Sequence, residues 1–313
     1  MSDTAPLLIA HAGASSPAAR AVLRDLPLPS LGALLAELAP GPIERLNEDD
    51  FDTADERALA HAMDLAAPDG HIPWAALQAA QLGATPADAA WAWFTPCHLD
   101  IGMSEVLLSQ PEGLRLPPDQ AQALAATMAP YFAEDAIVLE RFVDGHWLAS
   151  GEVFCDLATA SPARVIGTDL NPWMPASALL RRLQNEMQML LYTHPVNTER
   201  EAQGQPTVNA LWLSGCGSLP ADARGERPPV TLVHALRDSA LNEDWPAWAA
   251  AWRELDARHC APLLKQLRAG APVALTLCGP RALQTFRSTP RSALSRLTRL
   301  WRKPQVADVL GAL

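Results

Sequence analysis

Residues 194–217 read HPVNTEREAQGQPTVNALWLSGCG, and the succession of textures in this stretch sets the reading of the chain around it. Pro195 closes the helical pattern before it, because proline lacks the N–H that the next helical bond requires. TEREAQGQP then reads as a polar connection, and Val208 to Gly217 as an apolar run ending in a glycine turn, the pattern of a buried strand. Upstream, Leu179, Leu180, Leu183, Met187, Leu190 and Leu191 recur at three- and four-residue steps, which predicts a helix from Ser177 to about Thr193 with that stripe in the core. Downstream come a linker-like ADARGERPP, a strand in VTLVHAL, a helix from about Trp245 to Leu267, and a strand in VALTLCG, Val273 to Gly279. Strand and helix alternating at this spacing predict a mostly parallel sheet.

The chain opens in the same style. PLLIA (Pro6 to Ala10) predicts a buried strand, followed by a helix capped by Ser16 with Pro17 in its first turn. Ser30 precedes LGALLAEL, a second helix that APGP stops. The acidic stretch Asn47 to Glu56 contains the capping box Thr53-x-x-Glu56, so it reads as the solvated start of a helix in preference to a metal site. Between about 86 and 170 the texture changes: WAWFTPCHLDI is extended, a helix begins at Pro117 or Pro118, and AIVLERFVDGHWLAS is a hairpin turning at Asp144-Gly145. The expected organisation is a discontinuous α/β core domain, residues 1–85 and 171–313, interrupted by an α+β insert domain, residues 86–170.

Composition narrows the functional classes. The chain has 313 residues, 49% apolar and 19% charged, the balance of a soluble globular protein. A net charge of −11 argues against general nucleic-acid binding, since a polyanion is repelled. Five cysteines without a CxxC pair imply neither a disulfide framework nor a cysteine-rich zinc site. No apolar run reaches the ~18 residues of a membrane span, and the start MSDTAPLLIAHAG lacks the features of a secretory signal, so a cytoplasmic location is expected. GxxxxGK[ST], HExxH, GxSxG and GxGxxG are all missing, which lowers the common nucleotide-binding and hydrolase classes and leaves no cofactor to expect.

The segment 194–217 resembles the archaeal-type, cofactor-independent phosphoglycerate mutases at His194, Pro195, Val196, Asn197, Arg200, Gly204, Asn209, Ala210, Trp212, Leu213, Gly215 and Gly217. LPLPSLGALL and ELDARHCAPLLKQL extend the resemblance more weakly. It implies an α/β core of alkaline-phosphatase type, in which two divalent metals flank a Ser or Thr nucleophile and clamp the transferring phosphoryl group. Such a site needs several carboxylates and imidazoles converging at strand ends. The chain departs from that pattern at each place. His11-Ala12-Gly13 stands where the family has an Asp-Gly start, Val233-His234 continues without the family's Asp-Glu-Ala-Gly-His block, and Cys278-Gly279-Pro280 replaces an Asp-His pair. The nucleophile segment has no counterpart between Glu56 and Ala90. The resemblance therefore implies a retained fold without the two-metal reaction, and the arrangement is similar to the RpfE-type regulatory proteins often labelled phosphoglycerate mutase. The rival reading is an active phosphomutase or phosphatase using His11, His234 and Asp238 as unusual ligands.

Candidate ligand contacts follow. Arg200, with His194, Asn197 and Asn209, is expected to hold a phosphorylated small molecule, because an arginine fork matches phosphate bidentately; Arg164, Arg181 and Arg182 lie nearby in sequence. Asn197 and Asn209 equally suit backbone groups in a turn. In PCHLDIG, His98 and Asp100 fall on one side of a strand, as an acid–base pair or as a fixed hydrogen-bonding pair; His11 and His234 complete the secondary candidates. Residues 281–303 carry seven basic side chains and no acid, and the basic amphipathic helix Arg291–Lys303 is a candidate for docking on the body or for binding a protein partner.

Overall fold

A computed structural model describes residues 5–65, 67–84, 88–102, 105–109, 113–224, 227–289 and 305–313. The basic stretch Arg291–Lys303 lies outside the described residues. The chain divides into two compact units, one of Met1–Asp49, Thr53–Ala66 and Arg227–Leu313, the other of Asp50–Asp52 and Ala67–Glu226. The division differs from the expected one at residues 50–52, 67–85 and 171–226, which the sequence reading places in the α/β core and which group instead with residues 86–170.

The first unit is built on a five-stranded sheet of β1 (Leu7–Ile9), β2 (Ala39–Arg45), β9 (Thr231–Val233), β10 (Ala274–Cys278) and β11 (Ala282–Arg287), in the order β2-β11-β10-β1-β9. β1 pairs in parallel with β10 (Leu8 opposite Thr276) and with β9 (Leu8 opposite Leu232). Side chains alternate across the sheet: Leu7 and Ile9 join Leu31, Trp248, Trp252 and Leu263 on one face, while Leu8 joins Ala54, Ala58 and Leu283 on the other. A strand covered on both faces needs an unbroken apolar run, which is why LLI is buried throughout. Each such side chain contributes roughly 1.5–3 kcal/mol on leaving water.

Only two of the four pairings are parallel. β10 and β11 form a hairpin closed by the Gly279 N–H donating to the Ala282 carbonyl at 2.7 Å, and a connection that short forces antiparallel pairing. β2 occupies APGPIER, a stretch expected only to stop a helix; its prolines are tolerated because it is an edge strand. The predicted helix Trp245–Leu267 is interrupted by a π turn at Asp256–Cys260 before Pro262. Asp256, buried in that turn, accepts from the backbone N–H groups of Ser30 (3.1 Å) and Leu31 (2.7 Å). It thereby caps helix Pro29–Glu37, whose own N-cap Leu28 has no acceptor.

The second unit holds an antiparallel sheet of β3 (Trp91–Cys97), β6 (Val138–Val143), β7 (His146–Ser150) and β8 (Ala210–Gly217), in the order β6-β7-β3-β8. A separate hairpin pairs β4 (Leu99–Ile101) with β5 (Val106–Leu108). β8 was expected in the parallel core sheet; it lies antiparallel to β3, with Phe94 opposite Leu213. Its apolar character is satisfied equally by either kind of sheet, so hydropathy alone does not choose the partner. Phe94, Trp147 and Leu213 pack with helices Pro118–Glu134 and Ala178–Tyr192. The turn at Asp144 (φ 50°) and Gly145 (φ 85°) has the two left-handed residues that a tight hairpin needs. Beside it Gln78 Oε1 accepts from Trp93 Nε1 (2.7 Å) and from His146 Nε2 (2.9 Å), and burial pushes the His146 pKa down to about 4 against a smaller opposing effect of Asp144.

Two expectations about composition meet the structure directly. Among the described residues no helix is long and apolar enough to cross a membrane. All five cysteines are unpaired, and burial raises the thiol pKa of Cys216 and Cys260 to about 12, which keeps them protonated and inert.

Candidate functional site

The segment expected to be a polar connection, TEREAQGQP, begins instead as a helix, Pro195–Ala202. Pro195 starts this helix as well as ending the previous one, because the first turn has no use for its missing N–H. His194 is the N-cap: its Nδ1 accepts from the Val196 N–H at 3.2 Å. The proton is therefore on Nε2, which donates to Thr127 Oγ1 at 3.0 Å while that hydroxyl donates to the Ala123 carbonyl. Burial lowers the His194 pKa, consistent with this neutral cap.

Asn197 is 4% exposed and donates through Nδ2 to the carbonyls of Leu191 (2.8 Å) and Val208 (2.7 Å), while its Oδ1 accepts from the Val208 N–H (2.8 Å). Asn209 mimics a strand partner, accepting from the Leu99 N–H (2.7 Å) and donating to the Leu99 carbonyl (2.9 Å). Arg200 is 1% exposed; Nε donates to the Pro206 carbonyl (2.7 Å), one terminal nitrogen to Gln120 Oε1 (2.8 Å) and the other to the Leu114 carbonyl. Desolvation lowers its pKa from the usual arginine value. The four residues thus spend their polar groups on the fold, and the arginine fork expected to meet a phosphate grips backbone carbonyls instead.

The other arginines are dispersed. Arg181 donates to the carbonyls of Pro175 and Ala176, both at 2.9 Å, Arg182 pairs with Asp135 at 2.5 Å, and Arg164 lies over the Trp173 ring at 4.2 Å. Each is engaged by its own local acceptor or ring.

What Arg200 supports is the wall of a cleft. A cavity of about 410 Å³ is lined by His98, Ser109, Gly113, Leu114 and Pro206, and the carbonyls of Leu114 and Pro206 are the ones Arg200 holds. His98 Nδ1 lies 2.9 Å from the Thr207 carbonyl and 3.1 Å from its hydroxyl, and Nε2 is 3.7 Å from Asp100 Oδ1. Asp100 Oδ2 accepts from Ser109 Oγ at 2.6 Å. The expected neighbourhood of His98 and Asp100 is therefore present, while the participation of Ser109 was not foreseen: it comes from β4 pairing with β5, which no local signal announces.

A second cluster stands at the carboxyl ends of the parallel strands in the first unit. His11 follows β1 with a left-handed φ of 55°, a strained conformation for histidine, and His234 directly follows β9. The His11 pKa is lowered chiefly by burial; Asp55 raises it, Arg237 and His234 lower it, and Asp238 raises it. Each of these groups is close enough to act on His11, so His11, His234 and Asp238 do gather, joined by Asp55 and Arg237. Asp55 was read only as the start of helix Ala54–Ala62. The donor set does not fit two dications. Among the described residues no three His, Cys, Asp or Glu side chains form a group able to hold a metal, and the Arg237 guanidinium opposes a further positive charge.

The same edge is closed by packing. A Cβ built on Gly13 would lie 2.9 Å from Gly279 Cα and 3.0 Å from the Leu313 carbonyl carbon, and one on Gly279 would lie 2.6 Å from that carbon. Leu310 and Leu313 are buried, and the Ala14 N–H donates to the Leu310 carbonyl at 2.8 Å. Glycine is required at 13 and 279 because residues 310–313 take the space a side chain would need.

No family model and no curated protein matches the chain. Among solved structures, a cofactor-independent phosphoglycerate mutase from Thermoplasma acidophilum DSM 1728 aligns over 99% of this chain and 99% of its own at 14% identity, with a TM-score of 0.42. The PH0037 protein from Pyrococcus horikoshii aligns over 91% of this chain and 88% of its own at 13% identity, with a TM-score of 0.47.

Proposed function

We propose that this protein is a phosphoglycerate-mutase-like regulatory protein that lacks the two-metal phosphoryl-transfer reaction. The reading is carried by the carboxyl edge of the five-stranded sheet. There, Gly13 and Gly279 are packed against Leu313, and the polar residues left around His11 supply no convergent set of metal ligands. Phosphoryl transfer draws nearly all its acceleration from positioning and charge stabilisation, so an edge that cannot seat two dications forfeits most of the rate. The sequence resemblance at 194–217 supports kinship with the mutases. The same residues act as supports of β8 and the cleft wall, so their retention is explained without catalysis.

The test is elemental analysis of protein purified without chelator, together with an assay for interconversion of 2- and 3-phosphoglycerate in added manganese or zinc. The expected outcome is sub-stoichiometric metal and no conversion above the uncatalysed background. Stoichiometric metal with turnover that His11→Ala or Asp238→Asn abolishes would instead establish the active-enzyme reading, with the unusual ligands named above.

A further inference from the structure

Residues 305–313 sit on the first unit as a peptide sits on a receptor. The helix within them, Val306–Gly311, has six residues; so short a helix does not persist alone, and its conformation is imposed by the surface beneath it. Val306, Val309, Leu310 and Leu313 fall at i, i+3, i+4 and i+7, the spacing by which an amphipathic helix fills a groove. All four join the apolar cluster of the unit: Leu310 and Leu313 are buried, Val306 and Val309 half-buried, while Gln305 and Asp308 are exposed. The groove also grips the end of this helix. Its last carbonyls have no partner within the turn, and three groups of the unit take them in succession: the Ala14 N–H donates to Leu310 (2.8 Å), Arg20 to Gly311 and Arg45 to Ala312 (both 3.3 Å). Gly279 is the floor, since the three atoms nearest to a Cβ built there all belong to Leu313.

We propose that this groove recognises short amphipathic helices, that residues 305–313 are its resident occupant, and that a segment of a partner protein with aliphatic side chains at i, i+3, i+4 and i+7 enters by replacing them. The resident adds no strand to the sheet and is joined to the preceding described residues through fifteen others, 290–304, so it can leave without breaking a strand pairing. Arg20 and Arg45 stand at the end of the bound helix and select against lysine or arginine in the last turn of the partner segment. Recognition of this kind goes beyond the loss of phosphoryl transfer, and its test contains no catalytic readout, so either reading can fail alone.

The probe is a fluorescein-labelled peptide of residues 305–313, and the receptor is the full chain carrying Leu310→Asp, which cannot seat its own segment. Fluorescence anisotropy should show saturable binding with a dissociation constant on the order of 100 µM. The wild-type chain should bind about tenfold more weakly, since a tethered occupant competes at an effective concentration on the order of 1 mM. Adding Gly279→Ala to the receptor should abolish binding, because the new methyl takes the place of Leu313. Near-UV circular dichroism, which reports the packing of Trp248 and Trp252, checks the fold of the receptor, and Leu313→Asp is a second receptor variant. Binding unchanged by Gly279→Ala, equal binding by the wild-type chain, or no saturable binding to a folded receptor would each overturn the proposal. Loss of the fold in both variants would do so too, since a replaceable occupant leaves a folded receptor behind. A concentration-dependent dimer of the wild-type chain that Leu310→Asp abolishes would overturn it in favour of a second copy as the occupant.

Discussion

The two sheets use polar residues in opposite ways. In the five-stranded sheet, His234, Asp55, Asp238 and Arg237 gather around His11 at the strand ends and act on its charge, while the backbone there is sealed by Gly13, Gly279 and Leu313. Beside the four-stranded sheet, His194, Asn197, Arg200 and Asn209 spend their polar atoms on nearby backbone groups and on the side chains of Thr127 and Gln120. β8 is an edge strand, yet every one of its eight residues is buried, and side chains outside the sheet meet its backbone: Gln184 Nε2 donates to the Leu211 carbonyl and Thr159 Oγ1 accepts from the Cys216 N–H. A dense group of polar residues beside a strand is therefore as compatible with structural closure as with a ligand site, and hydrogen-bond accounting separates the two.

Three variants sharpen the contrast, beginning with the largest expected loss. Arg200→Ala strips partners from two carbonyls and from Gln120, and should lower unfolding stability by about 3–4 kcal/mol in urea titration. Arg200→Lys should recover less than half, because one ammonium cannot reach three separated acceptors. Unchanged stability in the alanine variant would return Arg200 to the role of a ligand contact.

Gly279→Ala should cost about 1–3 kcal/mol by overpacking against Leu313, and should speed proteolytic cleavage near residues 305–313. Gly311→Ala is the control in the same segment, since a Cβ there meets nothing within 4 Å; it should be neutral. Equal behaviour of the two variants would mean that the sheet's carboxyl edge is not closed by this contact.

A further effect is a pH dependence of stability in the second unit. His146 has its pKa lowered to about 4 by burial, so it stays neutral in the folded state while the unfolded chain takes up a proton. Its contribution is fully present above about pH 6.5, the ordinary histidine value. It is lost as the pH falls from there through 4. His146→Gln should flatten that part of the stability curve; an identical curve would show that carboxylates alone produce it.

Much of the local structure was legible in the sequence. Ser16 caps the first helix, Thr53 and Glu56 form their capping box, and Asp144-Gly145 turns its hairpin, because each of these depends on residues three or four apart. The proline at 195 was legible only halfway: it marked a boundary, but the pattern did not show that His194 would cap a new helix behind it. The site was less legible still. His98 and Asp100 share one side of a strand by spacing, whereas Ser109, Leu114 and Pro206 reach them only through pairing and packing.

From its order of residues alone, the chain specified where many helices and strands begin and which stripes are apolar. Tertiary structure decided that β8 joins an antiparallel sheet, that Arg200 bonds the Pro206 and Leu114 carbonyls, and that Leu313 lies on Gly13 and Gly279. The reason is range: caps and periodicity act within one turn or one strand, while the partner of a buried strand or a guanidinium is chosen among groups far along the chain that only the folded arrangement brings within bonding distance.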